Sequence, residues 1–459
     1  MKKLPVIVIF DIGKTNKKLL LFDEEYNVAY ENSIQLEEIT DEDNFPCEDV
    51  HALTNWMKES FNRALQDNRF EIRAVNFSGY GASFVLLDEN LGPFLPLYNY
   101  LKPYPEQLQK QFYNTYGGES LIAKQTASPV LGSLNSGMQL YRLKYQKPGV
   151  FRKIKYALHL PQYLSFIFTG KAYSDITSIG CHTHLWDFQH HQYHAWVTKE
   201  GIDDKLAVIA GSDSIGGYIN RNIPAGIGLH DSSAALIPYL MSFAEPFILL
   251  STGTWCISLN PFNPAPLSGE ELKNDCLNYL SYKGEPVKAS RLFAGYEHEE
   301  QAKRLAAHFH KDPDYCKTIA FNPSFIKKAG MPAEAIHGKI MMTQSDFSKI
   351  NLSSFENYEE AYHRLVADII LRQVYSTDLV LKNSVVKKIF VDGGFSNNPV
   401  YMQLLADACH EMEVYAAEIP QASALGAAFI MHRYWNSKDY PVNLIRLKHY
   451  QPTQNPVKK

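Results

Sequence analysis

Four short segments of the sequence combine glycine with hydroxyl or charged residues, and the first lies close to the start. An apolar run ends at Asp11, the turn Ile-Gly-Lys-Thr-Asn follows, and a second apolar run begins after Lys18. A tight turn between strands directs backbone N–H groups and the threonine hydroxyl at an anion, and lysine adds charge. Asp11 can hold Mg²⁺ through water, because this ion keeps much of its hydration shell. The candidate nucleotide-binding residues here are Asp11, Gly13, Lys14, Thr15, Asn16 and Lys18, and the candidate metal residue is Asp11.

Two structural alternatives bear on this turn. The Gly-Lys-Thr triplet resembles part of a P-loop, but that motif needs a further glycine where the sequence has Val8, and a helix where the sequence predicts a strand. A Walker A site is therefore excluded. An ordinary hairpin turn, with Asp11 as a capping residue, stays open.

The second and third segments lie later in the chain. Ser251-Thr-Gly-Thr carries hydroxyls and one glycine but no charge, so it can cup a terminal phosphate or form a plain hairpin turn. Asp392-Gly-Gly follows a predicted strand, and paired glycines let a flat ring approach the backbone. Asn398 can bind adenine or ribose, or can simply cap the helix that Pro399 begins. The candidate residues in these segments are Thr252, Gly253, Thr254, Gly393, Gly394 and Asn398.

The fourth segment runs from Gly226 through Ile-Gly-Leu to His230 and Asp231, and it enters a predicted helix. Asp231 can act as a general base that takes a proton from a substrate hydroxyl, and His230 beside it can orient the substrate. Aspartate is also a preferred N-cap residue. From these residues alone, the capping role is the simpler interpretation.

The elements that position these segments alternate between strand and helix. Apolar runs predict strands at residues 4–10, 18–22, 28–30, 74–77, 84–87, 247–250, 255–259 and 388–391. Helical periodicity appears at residues 55–66, 233–243, 358–381 and 401–411. This alternation predicts mixed α/β layers. Each half of the chain opens with a strand–turn–strand hairpin, which predicts two related α/β domains with a boundary near residues 241–246.

Composition narrows the class of protein further. The chain has 459 residues, 45% of them hydrophobic, and a formal net charge of −4, which fits a globular protein of two or three domains. This charge gives no basic field for nucleic acid, and no apolar run approaches the roughly 20 residues that cross a bilayer. The six cysteines are scattered without a CxxC pair, as in a reduced cytosolic protein. We therefore expect a cytoplasmic protein without nucleic-acid or membrane partners.

A cluster of histidines falls in an irregular stretch in the first half of the chain: His182, His184, His190, His191 and His194. No cysteine or carboxylate accompanies them at the spacing of metal ligands. The sequence therefore predicts a polar, aromatic surface or a loop at a domain edge, rather than a metal site.

Taken together and in this order, the segments resemble the FGGY family of carbohydrate kinases, part of the actin/hexokinase/Hsp70-like ATPase superfamily. The turn after Asp11 resembles the first phosphate motif of the family, with Lys-Thr-Asn in place of the usual Thr-Thr-Ser. Ser-Thr-Gly-Thr-Trp255 resembles the second phosphate motif, and Asp392-Gly-Gly with Asn398 resembles the adenosine motif. The segment Ala-Ser-Ala-Leu-Gly-Ala-Ala428 is similar to the closing helix of the family.

Within the family, His230-Asp231 and the Ser-Thr-Gly-Thr-Trp segment look closest to the rhamnulokinase branch. Relatives place an aspartate and a tryptophan in the sugar-facing strand region and a Tyr-Arg-Asp run farther on. Here the sugar-facing region has Ser78, Tyr80 and Ser83, and Asn-Tyr-Leu-Lys follows Tyr98. The resemblance therefore implies a sugar pocket that is more aromatic and less acidic than usual. The candidate substrate-binding residues are Ser78, Gly79, Tyr80, Gly81, His230 and Asp231.

The resemblance implies an α/β fold of two actin-like (ribonuclease H-like) domains with a catalytic cleft between them, at residues 1–243 and 244–459. It implies ATP and Mg²⁺ as cofactors, a small-molecule sugar as the partner, and Asp231 as the catalytic base. The implied activity is transfer of the γ-phosphate to a hydroxyl of a ketose such as L-rhamnulose, L-fuculose or a pentulose. A xylulose, ribulose or polyol kinase of the same family is the alternative. A non-catalytic sugar sensor and an Hsp70-like ATPase are alternatives from other classes, and a homodimer is one assembly that we consider.

Overall fold

Two seven-stranded sheets organise the protein, one in each half of the chain. The computed structural model describes residues 3–328, 346–441 and 444–453. The strands before residue 244 are β1 (Leu4–Ile12), β2 (Lys17–Phe22), β3 (Val28–Ile34), β4 (Glu38–Thr40), β5 (Pro46–Glu48), β6 (Phe70–Gly79), β7 (Phe84–Leu87), β8 (Tyr156–His159), β9 (Ser174–Asp175), β10 (Trp186–Asp187), β11 (Gln192–Tyr193), β12 (Ile209–Ala210), β13 (Ile215–Ile219), β14 (Ile223–Gly226) and β15 (Leu229–His230). Those after it are β16 (Phe247–Thr252), β17 (Cys256–Asn260), β18 (Cys276–Leu280), β19 (Pro286–Leu292), β20 (Lys388–Gly393), β21 (Glu413–Glu418) and β22 (Arg446–Tyr450).

Helices connect the strands in both halves. The helices before residue 244 are α1 (Val50–Gln66), α2 (Glu106–Thr115), α3 (Glu119–Gln125), α4 (Ser136–Gln146), α5 (Pro148–Lys153), α6 (Leu160–Thr169), α7 (Ile176–Ile179), α8 (Ala195–Lys199) and α9 (Asp231–Ser242). Those after it are α10 (Gly269–Lys273), α11 (Ala294–His308), α12 (Pro323–Lys328), α13 (Tyr358–Leu381), α14 (Pro399–Ala408), α15 (Ala422–Phe429) and α16 (His432–Trp435). Across the described ranges, none of these helices has both the length and the apolar character that a bilayer span requires.

The two sheets share a core arrangement. In the first sheet β1 pairs antiparallel with β2 and parallel with β6, and β2 continues antiparallel to β3. In the second sheet β16 pairs antiparallel with β17 and parallel with β20, and β17 continues antiparallel to β19. Both predicted hairpins are therefore present, and the first strand of each also pairs with a parallel strand on its other side. This repeated pattern agrees with the prediction of two related α/β units.

Strand register brings several candidate residues to one edge of each sheet. Asp11 at the end of β1 lies opposite Ser78 of β6, and Ser78 in turn lies opposite Leu229 of β15. In the second sheet Thr252 lies opposite Gly393. Ligands of open α/β sheets bind beyond the carboxyl ends of parallel strands, and these residues occupy such ends.

The predicted elements are present and differ from the observed ones mainly in their ends, but the structure adds others that were not predicted, such as β19 and α11. The helix predicted over residues 358–381 and the strand predicted over residues 84–87 have the predicted bounds. Helix α1 begins at Val50 rather than at residue 55, because the Asp49 side chain accepts hydrogen bonds from the N–H groups of His51 and Ala52. Strand β6 covers Phe70–Gly79 rather than residues 74–77, because its whole length pairs with β1.

Helix α15, from the second half of the chain, packs against β1, β6 and α9 of the first half. Their apolar side chains form one core cluster that includes Ile7, Ala234 and Leu425. A methyl group added at Gly426 would lie 1.9 Å from the carbonyl oxygen of Ala234, so glycine allows the two helices to touch. Asn76 also donates a hydrogen bond of 2.8 Å to the carbonyl of Ala427. The carboxyl end of β1 is therefore held next to a helix from the other half.

Candidate active site

The first turn is closed by its own backbone and by a lysine beneath it. The Gly13 N–H donates to the Asn16 carbonyl at 3.0 Å. The Lys17 ammonium donates to the carbonyls of Gly13 at 3.0 Å and Lys14 at 2.8 Å. Thr15 and Asn16 are exposed at the tip of the turn. The predicted turn is thus formed, and Lys17, which sequence reasoning did not select, supports it; anion binding by this turn stays a prediction.

The two lysines predicted to add charge already have partners. The ammonium of Lys14 lies 2.9 Å from Glu38 and 3.2 Å from Glu48. Burial alone would lower the pKa of Lys14, but these two carboxylates raise it overall. Lys18 donates to the amide oxygen of Gln421 at 2.9 Å, across the two halves of the chain. Two carboxylates thus hold Lys14 at the turn, and Glu48 is a second residue that the sequence analysis missed.

Asp11 occupies the carboxyl end of β1 at the contact between the halves. Its carboxylate accepts a hydrogen bond of 2.9 Å from the Ser423 hydroxyl of α15. Removal from water raises the pKa of Asp11 to about 6, and the negative charge of Asp231 adds to the rise. The sequence offered a signal for Ser423, because this residue lies in the segment that resembles the closing helix of the family.

Asp231 begins α9 but does not cap it in the usual way. Its carboxylate accepts from the N–H of Ser232 at 2.6 Å and from the hydroxyl of the same residue at 3.3 Å. An N-cap side chain would bond instead to an N–H two or three residues on. Burial raises the pKa of Asp231 to about 6. The capping interpretation therefore does not describe Asp231, and the pKa of its carboxyl group lies close to physiological pH.

His230 is buried beside Asp231 in the neutral state. Its Nε2 lies 3.3 Å from the Asp231 carboxylate and 3.3 Å from the Cys181 sulfur. Burial lowers the pKa of His230 to about 3, so the contact with Asp231 is not an ion pair near pH 7. A methyl group added at Gly81 would lie 3.0 Å from the imidazole. Gly81 thus lets the loop after β6 lie directly against this ring.

The other predicted sugar-facing residues divide into two groups. Ser78 and Gly79 end the buried strand β6 beside β15, close to Asp11 and His230. Tyr80 follows them directly, and its hydroxyl donates to Glu48 beside the first turn at 2.8 Å. Its ring packs edge-on against Tyr100 at a centroid distance of 6.0 Å.

Tyr100 lies near several charged groups of the site. Burial raises the pKa of Tyr100, and the charges of Lys14, Asp231 and Glu48 act on it as well. Lys102 pairs instead with Asp41 and Asp43. The ring at position 100 therefore faces the charged groups of the site, while the lysine two residues on does not.

The second turn is held by packing and neutral hydrogen bonds. The buried Thr252 hydroxyl bonds to the Asp392 carbonyl and accepts from the Phe395 N–H at 3.0 Å. Gly393 has φ of +80°, and a methyl group there would lie 1.9 Å from the Thr252 carbonyl oxygen. Only glycine fits this position. Gly253 is exposed, and its N–H donates to the Trp255 carbonyl at 2.9 Å.

A cavity of about 530 Å³ opens beside the second turn. It brings the predicted second phosphate motif and the predicted adenosine motif together, and its wall comprises Thr252, Gly253, Thr254, Gly295, His298, Glu299, Cys316, Lys317, Tyr362, Gly394, Phe395, Asn397, Asn398 and Pro399. Asn398 does cap α14, since its oxygen accepts from the N–H groups of Val400 and Tyr401 at 3.1 Å. Its amide nitrogen donates to the Tyr362 hydroxyl at 2.8 Å. Asn398 is thus a helix cap and a cavity residue at once.

The histidine cluster does not form the predicted surface. His182, His184 and His194 are buried, whereas His190 and His191 are exposed. His184 illustrates the cause, because Tyr113 and Thr126 both bond to its ring, at 3.1 Å and 2.8 Å. Burial lowers its pKa to about 3. The surface prediction was wrong for these three residues. The Leu134 carbonyl lies 3.1 Å from Nδ1 of His182, and the Gln125 amide oxygen lies 2.9 Å from Nε2 of His194, so these rings also have hydrogen-bond partners inside the protein.

Comparison with known families gives two matches that together cover most of the chain. Residues 6–236 match the FGGY family of carbohydrate kinases, N-terminal domain, and residues 244–439 match Carbohydrate kinase FGGY, C-terminal domain. The chain belongs to the FGGY family of carbohydrate kinases. It is therefore a carbohydrate phosphotransferase, as the sequence resemblance implied.

This FGGY kinase is similar to the rhamnulokinase of Halalkalibacterium halodurans, with 24% identity over 458 residues that cover 90% of this chain and 88% of that protein. The structure of a carbohydrate kinase from Novosphingobium aromaticivorans is 22% identical with a TM-score of 0.78, and the match covers 99% of this chain and 95% of that one. For the ligand-bound xylulose kinase from Lactobacillus acidophilus, the identity is 17%, the TM-score 0.77 and the coverage 98% and 94%. These matches confirm the α/β class with two actin-like domains and the resemblance to the rhamnulokinase branch.

Proposed function

We propose that this FGGY kinase transfers the γ-phosphate of ATP to a hydroxyl of a ketose such as L-rhamnulose, L-fuculose or a pentulose. The observation that carries the proposal is the state of Asp231. Its carboxylate begins α9 without capping it, has its pKa raised to about 6, and stands close enough to Asp11 for the two charges to interact. A base whose pKa lies near the working pH is suited to proton transfer. Similarity to a rhamnulokinase supports a ketose as the acceptor.

Nucleotide binding follows from the two turns and the cavity. We assign the adenosine to the cavity near Gly394 and Asn398, and the phosphates to the turns that carry Thr15 and Thr254. The exposed tips of both turns offer backbone N–H groups and hydroxyls, which suit phosphate oxygens. The lysines of the first turn add positive charge near the transferred group.

Mg²⁺ fits the carboxylate at the end of β1. The pKa of Asp11 is raised by burial and by a neighbouring anion, and a divalent cation would relieve both effects. We propose that Asp11 holds this ion, through water in part, as Mg²⁺ prefers. When bound, the ion neutralises charge on the phosphates during transfer.

The chain's own residues then supply positioning and a proton acceptor. Asp231 accepts the proton of the attacking hydroxyl while that oxygen bonds to the γ-phosphorus and the bond to ADP breaks. Neutral His230 holds the Asp231 carboxylate in place at 3.3 Å, and with Ser78, Gly79, Tyr80 and Gly81 it forms the sugar side of the site. Closure of the two halves would exclude water, which otherwise competes as the acceptor.

The division of the chain belongs to the same proposal. We assign residues 1–243 to a domain with the first turn, the sugar side and the base, and residues 244–459 to a domain with the second turn and the adenosine cavity. The catalytic cleft lies between them. A cytoplasmic location and a homodimer stay predictions from the sequence.

The decisive experiment is a screen of 6-deoxyketohexoses, ketopentoses and polyols for sugar-dependent release of ADP from ATP. We expect turnover with one ketose and little ADP release without sugar. Turnover with a polyol, or with xylulose or ribulose alone, would favour the alternative kinases. ADP release that no sugar changes would favour an Hsp70-like ATPase, and sugar binding without ADP release would favour a sensor.

A further inference from the structure

A lysine is buried directly beneath the first turn. The Lys17 side chain is 2% exposed, and its ammonium contacts the carbonyls of Gly13 and Lys14 and, at 3.0 Å, the carboxylate of Glu48. The two carbonyls accept hydrogen bonds from the ammonium, whereas the Glu48 oxygen is an ion-pair partner that accepts no hydrogen bond from the described residues. Lys17 is therefore buried and held by the turn and by Glu48, so its role lies in the turn itself.

The contacts of Lys17 fix which way the turn presents its N–H groups. In a planar trans peptide, the carbonyl and the N–H of the same unit point in opposite directions. Because the Gly13 and Lys14 carbonyls point inward to Lys17, the N–H groups of Lys14 and Thr15 point outward. In the part of the chain that the structure describes, neither N–H has a hydrogen-bond partner. Two outward N–H donors beside an exposed threonine suit an anion.

Glu48 connects this turn to the strand predicted to face the sugar. One of its oxygens accepts from the Tyr80 hydroxyl at 2.8 Å and from Lys14 at 3.2 Å, and the other faces Lys17. The backbone of Glu48 is fixed as well, because it exchanges two hydrogen bonds of 3.2 Å with Leu97. A single buried carboxylate thus touches both the phosphate turn and Tyr80.

We propose that Lys17 and Glu48 are positioning residues of this kinase. Lys17 aims the N–H groups of the first turn at the nucleotide phosphates, and Glu48, through Tyr80, links that turn to the sugar side of the site. The proposal rests on the proposed function. It predicts that removal of the Lys17 ammonium weakens nucleotide binding although Lys17 does not touch the nucleotide.

The chain offers a closely matched control pair. Lys288 and Glu271, in the second half, lie 2.8 Å apart with side chains 2% and 7% exposed, and the corresponding exposures are 2% for Lys17 and 7% for Glu48. Breaking a buried pair by removing one partner destabilises a protein strongly. Lys17→Met and Lys288→Met should therefore lower thermal stability to similar extents. A difference between the two variants in nucleotide binding then reflects the position of Lys17 rather than a general loss of stability.

The first test measures the affinity of the non-hydrolysable ATP analogue AMP-PNP with Mg²⁺, by calorimetry below the melting temperature of each variant. We expect Lys17→Met to weaken AMP-PNP binding by about 10- to 100-fold, the range of one hydrogen bond to a charged group. Lys288→Met should bind AMP-PNP as the parent protein does. Equal affinities in the two variants would overturn the proposal.

The second test uses Tyr80→Phe, which removes one hydroxyl and leaves no buried charge unpaired. With the sugar found in the screen, we expect the parent to bind AMP-PNP more tightly in the presence of sugar, and Tyr80→Phe to lose most of that gain. An unchanged gain in Tyr80→Phe, or no gain in the parent, would overturn the link through Glu48. Should no sugar be phosphorylated, the proposed function fails, whereas the AMP-PNP comparison still tests Lys17.

Discussion

The turn after β1 and the turn after β16 occupy equivalent places in their sheets, yet they are held by different forces. The first is supported by the buried ammonium of Lys17 and surrounded by Lys14, Glu38 and Glu48. The second contains no charged residue and is held by the Thr252 hydroxyl and by glycine contacts. A strand–turn–strand hairpin is thus supported by ion pairs in one half and by close packing in the other.

This difference suggests separate roles for the two halves in the proposed phosphate transfer. The carboxylates Asp11 and Asp231 and the lysines of the first turn lie in the first half, to which our proposal assigns proton transfer. The cavity of about 530 Å³ lies in the second half and is lined mostly by neutral side chains and backbone. We therefore expect changes at Asp231 to alter rate and pH dependence, and changes at either turn or in the cavity to alter nucleotide affinity.

The largest expected effect comes from Asp231→Asn. The amide cannot accept the hydroxyl proton, and general base catalysis typically contributes a factor of about 10²–10⁴ in rate. We expect sugar-dependent ADP release to fall by that factor or more, while AMP-PNP affinity by calorimetry stays within about twofold. Parent-like turnover in Asp231→Asn would show that Asp231 is not the base, and that this carboxylate of the first half does not set the rate.

Two neighbouring glycines sharpen the comparison in the second half. Gly393→Ala places a methyl group 1.9 Å from the Thr252 carbonyl at positive φ, and such backbone strain alone costs about 1–3 kcal/mol. We expect a lower free energy of unfolding and weaker AMP-PNP binding. In Gly394→Ala the methyl group comes no closer than 4.0 Å to Thr252. Denaturant unfolding should leave the stability of Gly394→Ala nearly unchanged, so a loss as large as that of Gly393→Ala would contradict the packing account.

The pH dependence of the rate tests the charged half. The pKa of Asp231 is raised to about 6, and a base must be ionised to act. Turnover should therefore be constant above this pKa and fall about tenfold per pH unit below it. The pKa of His230 is lowered to about 3, so His230→Gln should keep the same acidic limb. If His230→Gln abolishes that limb, the histidine rather than Asp231 titrates in it.

The smallest expected effects compare the tips of the two turns directly. Thr15 and Thr254 are both exposed, so Thr15→Ala and Thr254→Ala should change the free energy of unfolding by less than about 0.5 kcal/mol. Loss of one hydroxyl contact to phosphate should raise the KM for ATP by roughly 10-fold in each variant. A KM that changes in only one of them, measured by initial rates, would show that a single turn holds the phosphates.

Local patterns predicted part of the elements and missed others, such as β19 and α11. The hairpins were predictable, because short segments with glycine and hydroxyl residues between apolar runs are typical of tight turns. Helix α13 was predicted with its observed ends, since its apolar period runs unbroken through Tyr358–Leu381. The start of α1 was missed although Asp49 is a local cap signal and Val50, Leu53 and Trp56 already follow the helical apolar period.

Tertiary structure decided which side chains are in contact and what their pKa values are. The pairing of Lys17 with Glu48, the contact of Ser423 with Asp11 and the burial of His184 join positions far apart in sequence. Sequence by itself determined the residue types at the turns and the candidate base. The pKa of Asp231 near 6 arises from its partial burial among elements that only the folded chain brings together, with 33% of its side chain still exposed, so no reading of neighbouring residues specifies it.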